Sequence, residues 1–128
     1  MRSQVFAAAV CGLLLVATGA IGAHAVPADL SGRLDGALLF GFVHTLAALA
    51  VALLPLPGRL RLASGWMFLA GVVFFSGVQI ATLLTQTDRA SPFDALGMLV
   101  PVGGVAFMAG WGLLGLAALL SGRAEIRP

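Results

Sequence analysis

The sequence predicts an all-α polytopic membrane protein, an antiparallel up-down bundle of four transmembrane helices with both termini cytoplasmic. Three observations predict it. First, of 128 residues 60% are hydrophobic and 9% charged, and the mean hydropathy is +1.07. A soluble domain carries about 25% charged residues, because a small globule has much surface for its volume. Second, no Asp, Glu, Lys or Arg falls within four apolar stretches near 5–25, 36–54, 64–84 and 96–120. Each is close to the about 20 residues a helix needs to cross hydrocarbon. Third, the arginines sort by side. With four spans, Arg2, Arg59, Arg61, Arg123 and Arg127 share one side with Glu125 alone, a balance of +4. Arg33 and Arg89 share the other with Asp29, Asp35, Asp88 and Asp94, a balance of −2. The arginine-rich side is cytoplasmic by the positive-inside rule.

These numbers exclude an ordinary soluble enzyme, a disordered chain and a nucleic-acid binder. The pI of about 10.1 reflects a net charge of only +2. One cysteine, Cys11, leaves no intramolecular disulfide framework and no cysteine-cluster metal site. Residues 1–128 read as a single four-helix domain of the bacterial inner membrane.

The elements follow in order. Arg2, an apolar run and Ala23-His24-Ala25 also have the form of a cleavable signal peptide. The run is longer than an ordinary signal core, and its loss would leave three spans and spoil the charge pattern. It is therefore kept as the first helix. Asp35 is placed to cap the second, and Pro55-Leu56-Pro57-Gly58 stops it, since proline cannot continue a helix. Ser64 is placed to cap the third. Ser91-Pro92 pairs an N-cap with proline at the first helical position and opens an interfacial turn before the fourth. Short links make neighbouring spans antiparallel.

Helices associate in lipid by close packing, which small residues permit. Ala8, Gly12, Gly19 and Ala23 form one stripe; Ala37, Gly41, His44 and Ala48 a second; Gly103, Ala106, Gly110 and Ala117 a third. These read as packing seams, with docking to a second copy or a larger complex as a further use. The third span carries Gly65, Val72, Ser76 and Gln79 on one face instead. Unpaired polar groups are costly in hydrocarbon, so Ser76 and Gln79 point to the interior. Cys11 behaves as a small apolar residue. Trp66 anchors an interface, and the deeper Trp111 needs a partner for its indole N–H.

His24 and His44 are the only side chains in or beside the spans that titrate near neutral pH. His44 lies on the small-residue stripe and points inward; the aim of His24, at the outer end of the first span, is open. Pro101 frees the carbonyl of Gly97 from its helical bond. His24, His44, Ser76, Gln79 and the Pro101–Gly104 backbone thus lie at one depth in the outer half and form the candidate ligand-binding set. An ionisable residue inside a membrane is a functional hypothesis. Paired histidines could ligate a metal or haem axially, relay protons, or hold a quinone or lipid head group. The bland alternative is that His44 bonds Gln79, Ser76 or the Gly97 carbonyl and locks the bundle. No supporting carboxylate lies in the spans, so neither a metal nor a cofactor is expected, nor any catalytic constellation.

Gly19-Ala20-Ile21-Gly22-Ala23-His24 resembles the motif that closes the first helix of the YgdD-like family of small four-helix membrane proteins. Phe42-Val43-His44-Thr45-Leu46-Ala47 resembles its second-helix histidine block. Gly65-Trp66-Met67-Phe68 with Phe75-Ser76-Gly77, and Pro101-Val102-Gly103-Gly104 with Gly110-Trp111, resemble its third and fourth blocks. The resemblance implies a four-helix inner-membrane fold and no particular activity. It places His24 and His44 on motif positions. The chain departs from the family in having Phe42-Val43 before the second histidine, Val78-Gln79-Ile80 after Phe75-Ser76-Gly77, and no tyrosine. The leading expectation is a non-enzymatic membrane protein, an accessory or assembly module. A ligand site or conduit around His24 and His44 is the alternative, and a haem or metal electron carrier ranks third.

Overall fold

A computed structural model describes residues 1–56, 58–85 and 94–124, with side chains for all of these but 94, 95 and 122–124. Among them every regular element is helical. Helix α1 spans Arg2–Ala25 and α2 Ser31–Leu53. The third span runs through α3 (Arg59–Gly71), a π-helical segment (Val72–Gly77) and α4 (Val78–Thr85). A 3₁₀ turn (Asp94–Leu99) leads into α5 (Val100–Ala124). Four helices are long and apolar enough to cross a membrane: Arg2–Ala25, Ser31–Leu53, Arg59–Thr85 and Leu96–Ser121. Helix is the form such segments must take, because lipid offers no partner to a free backbone group.

The helices overrun the apolar stretches at their ends. Helix α2 starts at Ser31, a turn before Asp35, and its N-cap is Leu30. The hydroxyl of Ser31 donates to the Ala28 carbonyl at 2.8 Å, and Leu30 N–H donates to Pro27 at 2.9 Å, so the turn closes on itself. Helix α3 starts at Arg59 rather than at Ser64. Gly58 takes φ 104°, a left-handed value that favours glycine, and this turns the chain directly into the helix. Pro101 is the second residue of α5 and exposed, where its missing N–H falls among the first-turn groups that have no partner within the helix. Pro57, Asp88-Arg89, Ser91-Pro92, Glu125 and Arg127 lie outside the described residues.

The third span is the hub. It packs most extensively on α5, then on α2, and only lightly on α1, whose main neighbour is α2. Glycines set the approach distances. A Cβ at Gly41 would lie 2.7 Å from Leu15, and one at Gly110 2.6 Å from the Phe68 ring. At Gly22, Gly71 and Gly103 it would overlap Leu34, Phe107 and the Phe75 backbone. The predicted stripe of α2 is buried throughout, as are Gly103, Gly110 and Ala117 of α5. In α1 the buried face is Gln4, Ala8, Leu15 and Gly22, and Ala23 is exposed.

The π-helical segment was not legible in the sequence. Val78 N–H reaches the Val73 carbonyl, so this turn is one residue wide of an α-turn. The buried face therefore passes from Val72 and Ser76 to Ile80 and Leu83. Gln79, placed inward by a straight 3.6-residue count, is turned half out.

Candidate functional site

Helix α2 brings His44 into a box of rings from three helices. The Phe107 ring stacks on the imidazole with centroids 3.6 Å apart and planes 16° off parallel. Phe68 is tilted against it at 5.7 Å, and Trp111 meets it edge-on at 6.2 Å. Gly110 and Gly71 make room for Phe68 and Phe107. Both imidazole nitrogens are engaged. Nδ1 bonds the Phe40 carbonyl at 2.8 Å, and Trp111 Nε1–H donates to Nε2 at 3.3 Å. A carbonyl only accepts and an indole N–H only donates, so the ring sits as the neutral tautomer with its proton on Nδ1. The two polar groups singled out separately in the sequence, His44 and Trp111, satisfy each other. The expected partners Gln79, Ser76 and Gly97 do not bond the imidazole.

The other candidates are dispersed. His24 is exposed in the last turn of α1, beyond the Gly22–Leu34 contact and almost three turns of α2 from His44. Ser76 is fully buried one turn from His44. Its Oγ lies 3.1 Å from where a Cβ on Gly41 would stand and has no hydrogen-bond partner among the described residues. Gln79 is half-buried on the far side of the π-helical segment, and Pro101 is exposed. Gly104 is half-buried near the Phe75 ring. Ser76 and the Gly103–Gly104 backbone flank Phe75, while His24, Gln79 and Pro101 join neither them nor His44.

Several contributors were missed. Phe107 stands four before Trp111 beside the Gly103–Gly110 stripe, a spacing that could have flagged it. Gln4 is four residues before Ala8 on the seam of α1 but fell outside the span as drawn. It is 1% exposed and donates through Nε2 to the Leu62 carbonyl at 2.7 Å. Arg61 Nη1 donates to the Val51 and Ala52 carbonyls at 3.1 and 3.0 Å, satisfying orphan groups at the end of α2. Buried Ser64, expected as a cap, instead donates to the Gly110 carbonyl at 2.8 Å.

A groove of about 470 Å³ opens between α1 and the third span. Cys11, Leu15 and Thr18 form one wall, Val72, Gly77 and Ile80 the other, and Leu96 adds to the lining. The Thr18 hydroxyl is spent on the Leu14 carbonyl at 2.7 Å, so the surface offered is apolar. Among the described residues no three of His, Cys, Asp and Glu converge as a metal site would require.

A bundle of four span-length apolar helices around a hydrogen-bonded imidazole defines a small integral membrane protein. The chain belongs to the family described as "Protein of unknown function (DUF423)", whose model matches residues 18–104. It is 34% identical over 125 residues to the UPF0382 inner membrane protein YgdD of Escherichia coli K12, covering 92% of this chain and 90% of that one. It is 32% identical over 124 residues to the UPF0382 membrane protein SERP0230 of Staphylococcus epidermidis, covering 93% and 97%. With UPF0382 membrane protein SH2409 of Staphylococcus haemolyticus it shares 31% over 119 residues, covering 89% and 93%. No solved structure matches the chain. The protein is a multi-pass protein of the inner membrane.

Proposed function

We propose that this protein is a non-catalytic membrane module, an accessory or assembly subunit built as one up-down domain with both termini cytoplasmic. The carrying observation is the closure of His44: this buried imidazole has both nitrogens bonded and a face stacked on Phe107. A group so held serves packing, and among the described residues no three of His, Cys, Asp and Glu converge on a ligand set. The up-down course is supported by contacts that run oppositely in sequence: Gly22 with Leu34, Gly41 with Leu15, Gly71 with Phe107 and Gly110 with Phe68. The cytoplasmic assignment rests on the arginine bias. The inward seams are consumed within the chain, so contact with a second copy or a larger complex would fall to exposed small residues such as Gly112 and Gly115, where an added Cβ meets nothing within 4 Å.

Cross-linking in native membranes followed by sizing in mild detergent tests the assembly reading. A defined homo- or hetero-oligomer of fixed stoichiometry is expected. A strictly monomeric protein that retains nothing overturns it. Labelling of the two tips from opposite faces of the membrane tests the orientation separately.

The groove favours a second reading, in which the ligand alternative moves from the histidines to an apolar site for a lipid or quinone tail. Its volume falls within the about 300–1,000 Å³ of small-molecule pockets. Cys11 reports on it. A quinone with a short alkyl tail should slow maleimide labelling of Cys11 in the wild type and not in Gly77→Leu, which fills the groove.

A further inference from the structure

We infer that the junction of the α1 start, the α2 end and the α3 start binds the phosphate of an anionic phospholipid through Arg61, with Arg59 and Arg2 at its rim. The hydrogen bond from Gln4 to Leu62 draws the first turns of α1 and α3 together, and the bonds from Arg61 bring in the last turn of α2. Arg2, Arg59 and Arg61 therefore lie at the same end of three apolar spans, where head groups lie. No acidic residue stands in the first turn of α1 or α3, and none of these arginines forms an ion pair among the described residues.

Arg61 carries the argument. The residue is half-buried, and its protein partners are two neutral carbonyls bonded through a single nitrogen. Nε is buried without a partner, and Nη2 makes no hydrogen bond among the described residues. Nε is enclosed by the protein, so Nη2 keeps the donors free to bond a phosphate oxygen. A partly desolvated charge with no counter-charge is unfavourable. Position at the end of the spans makes the available counter-ion a lipid phosphate. Basic pockets between transmembrane helices recognise head groups in this way. Gln4 Oε1, the other buried polar atom without a partner here, is an acceptor and faces the α1–α3 seam, so it lies outside the anion site. The site stands on local geometry and does not depend on the assembly reading.

The test titrates the full-length protein in detergent with phosphatidylglycerol and with phosphatidylcholine of the same tails, counting bound lipids by native mass spectrometry. Preference for phosphatidylglycerol is expected. About fivefold of its affinity should be lost in Arg61→Gln, and a comparable or smaller factor in Arg59→Gln. Arg33→Gln, at the start of α2, should change nothing. If Arg61→Gln does not fold, Arg59→Gln decides, since that side chain is exposed and makes no hydrogen bond among the described residues. Equal binding of the two lipids, equal losses in Arg33→Gln and the site variants, or full displacement by millimolar inorganic phosphate overturns the inference. The last would mark a soluble-anion site.

Discussion

The two ends of this bundle are held together differently. Around Gln4, Arg61 and Trp111, side chains bond from one helix to another: Gln4 to Leu62, Arg61 to Val51 and Ala52, Ser64 to Gly110, Trp111 to His44. Around Leu34 and Ile80, the bonds of Thr18, Ser31 and Thr82 stay within their own helix or its adjoining turn: Thr18 to Leu14, Ser31 to Ala28, Thr82 to Gln79. At that second end the wide turn of the third span leaves the groove beside α1. Apolar burial cannot drive helices together in lipid, so specific bonds and tight glycine contacts carry the difference. Among the described residues one end is pinned by bonds between helices, while the other shows tight packing and retains free volume.

The sharpest way to break this contrast is to crowd the pinned end. Gly110→Ala sets a methyl 2.6 Å from the ring of Phe68, which is fully buried and has nowhere to go. A loss of about 3 kcal/mol is expected, the upper part of the range for overpacking, read by reversible unfolding in mixed micelles. Gly12→Ala, 4.0 Å from Thr45, meets ordinary contact and should be tolerated. Equal losses at both sites would remove the distinction.

A smaller effect is expected from the imidazole–indole pair. His44→Ala removes a stacked ring and strands the Trp111 N–H, for about 2–3 kcal/mol. Trp111→Phe leaves Nε2 unpaired and keeps most of the packing. The double-mutant cycle between them should give a coupling of about 1 kcal/mol, within the range for polar contacts between membrane helices. A coupling near zero would mean that the bond does not join α2 to α5. Helical content should survive in all three variants.

What was legible follows the same division. Span number, approximate limits and the buried face of α2 came from hydropathy and step counting, because lipid imposes one strict rule on every segment. Trp111 was recognised as needing a partner, and His44 as interior. Their pairing was not, because it depends on the rotation of α5 relative to α2, which no single-helix pattern encodes. Interest was drawn to the outer half by counting polar residues at one depth. The wide turn at Val72–Gly77 then rotated Gln79 out of that set, and nothing in Val-Val-Phe-Phe-Ser-Gly announces an extra residue per turn. Gln4 lies outside the first span as drawn and Arg61 entered only through its charge, although helix ends are where orphan carbonyls invite such side chains.

The finest comparison uses one residue type twice. Ser64 and Ser76 stand twelve apart on the third span, and both are fully buried. Ser64 donates to Gly110 at the pinned end, while Ser76 Oγ faces the Gly41 backbone without a partner. Ser64→Ala should cost about 1 kcal/mol, since it deletes a bond between helices and leaves a carbonyl of α5 with one contact fewer. Ser76→Ala should change stability by less than about 0.5 kcal/mol, or raise it slightly, because the methyl fills nearly the same space and a stranded hydroxyl is removed. Each variant removes one oxygen at equivalent burial, so hydrophobicity and helix propensity cancel between them. A loss at Ser76 as large as that at Ser64 would mean that its hydroxyl holds a bridging water, and the loosely held end would then have a polar tie of its own.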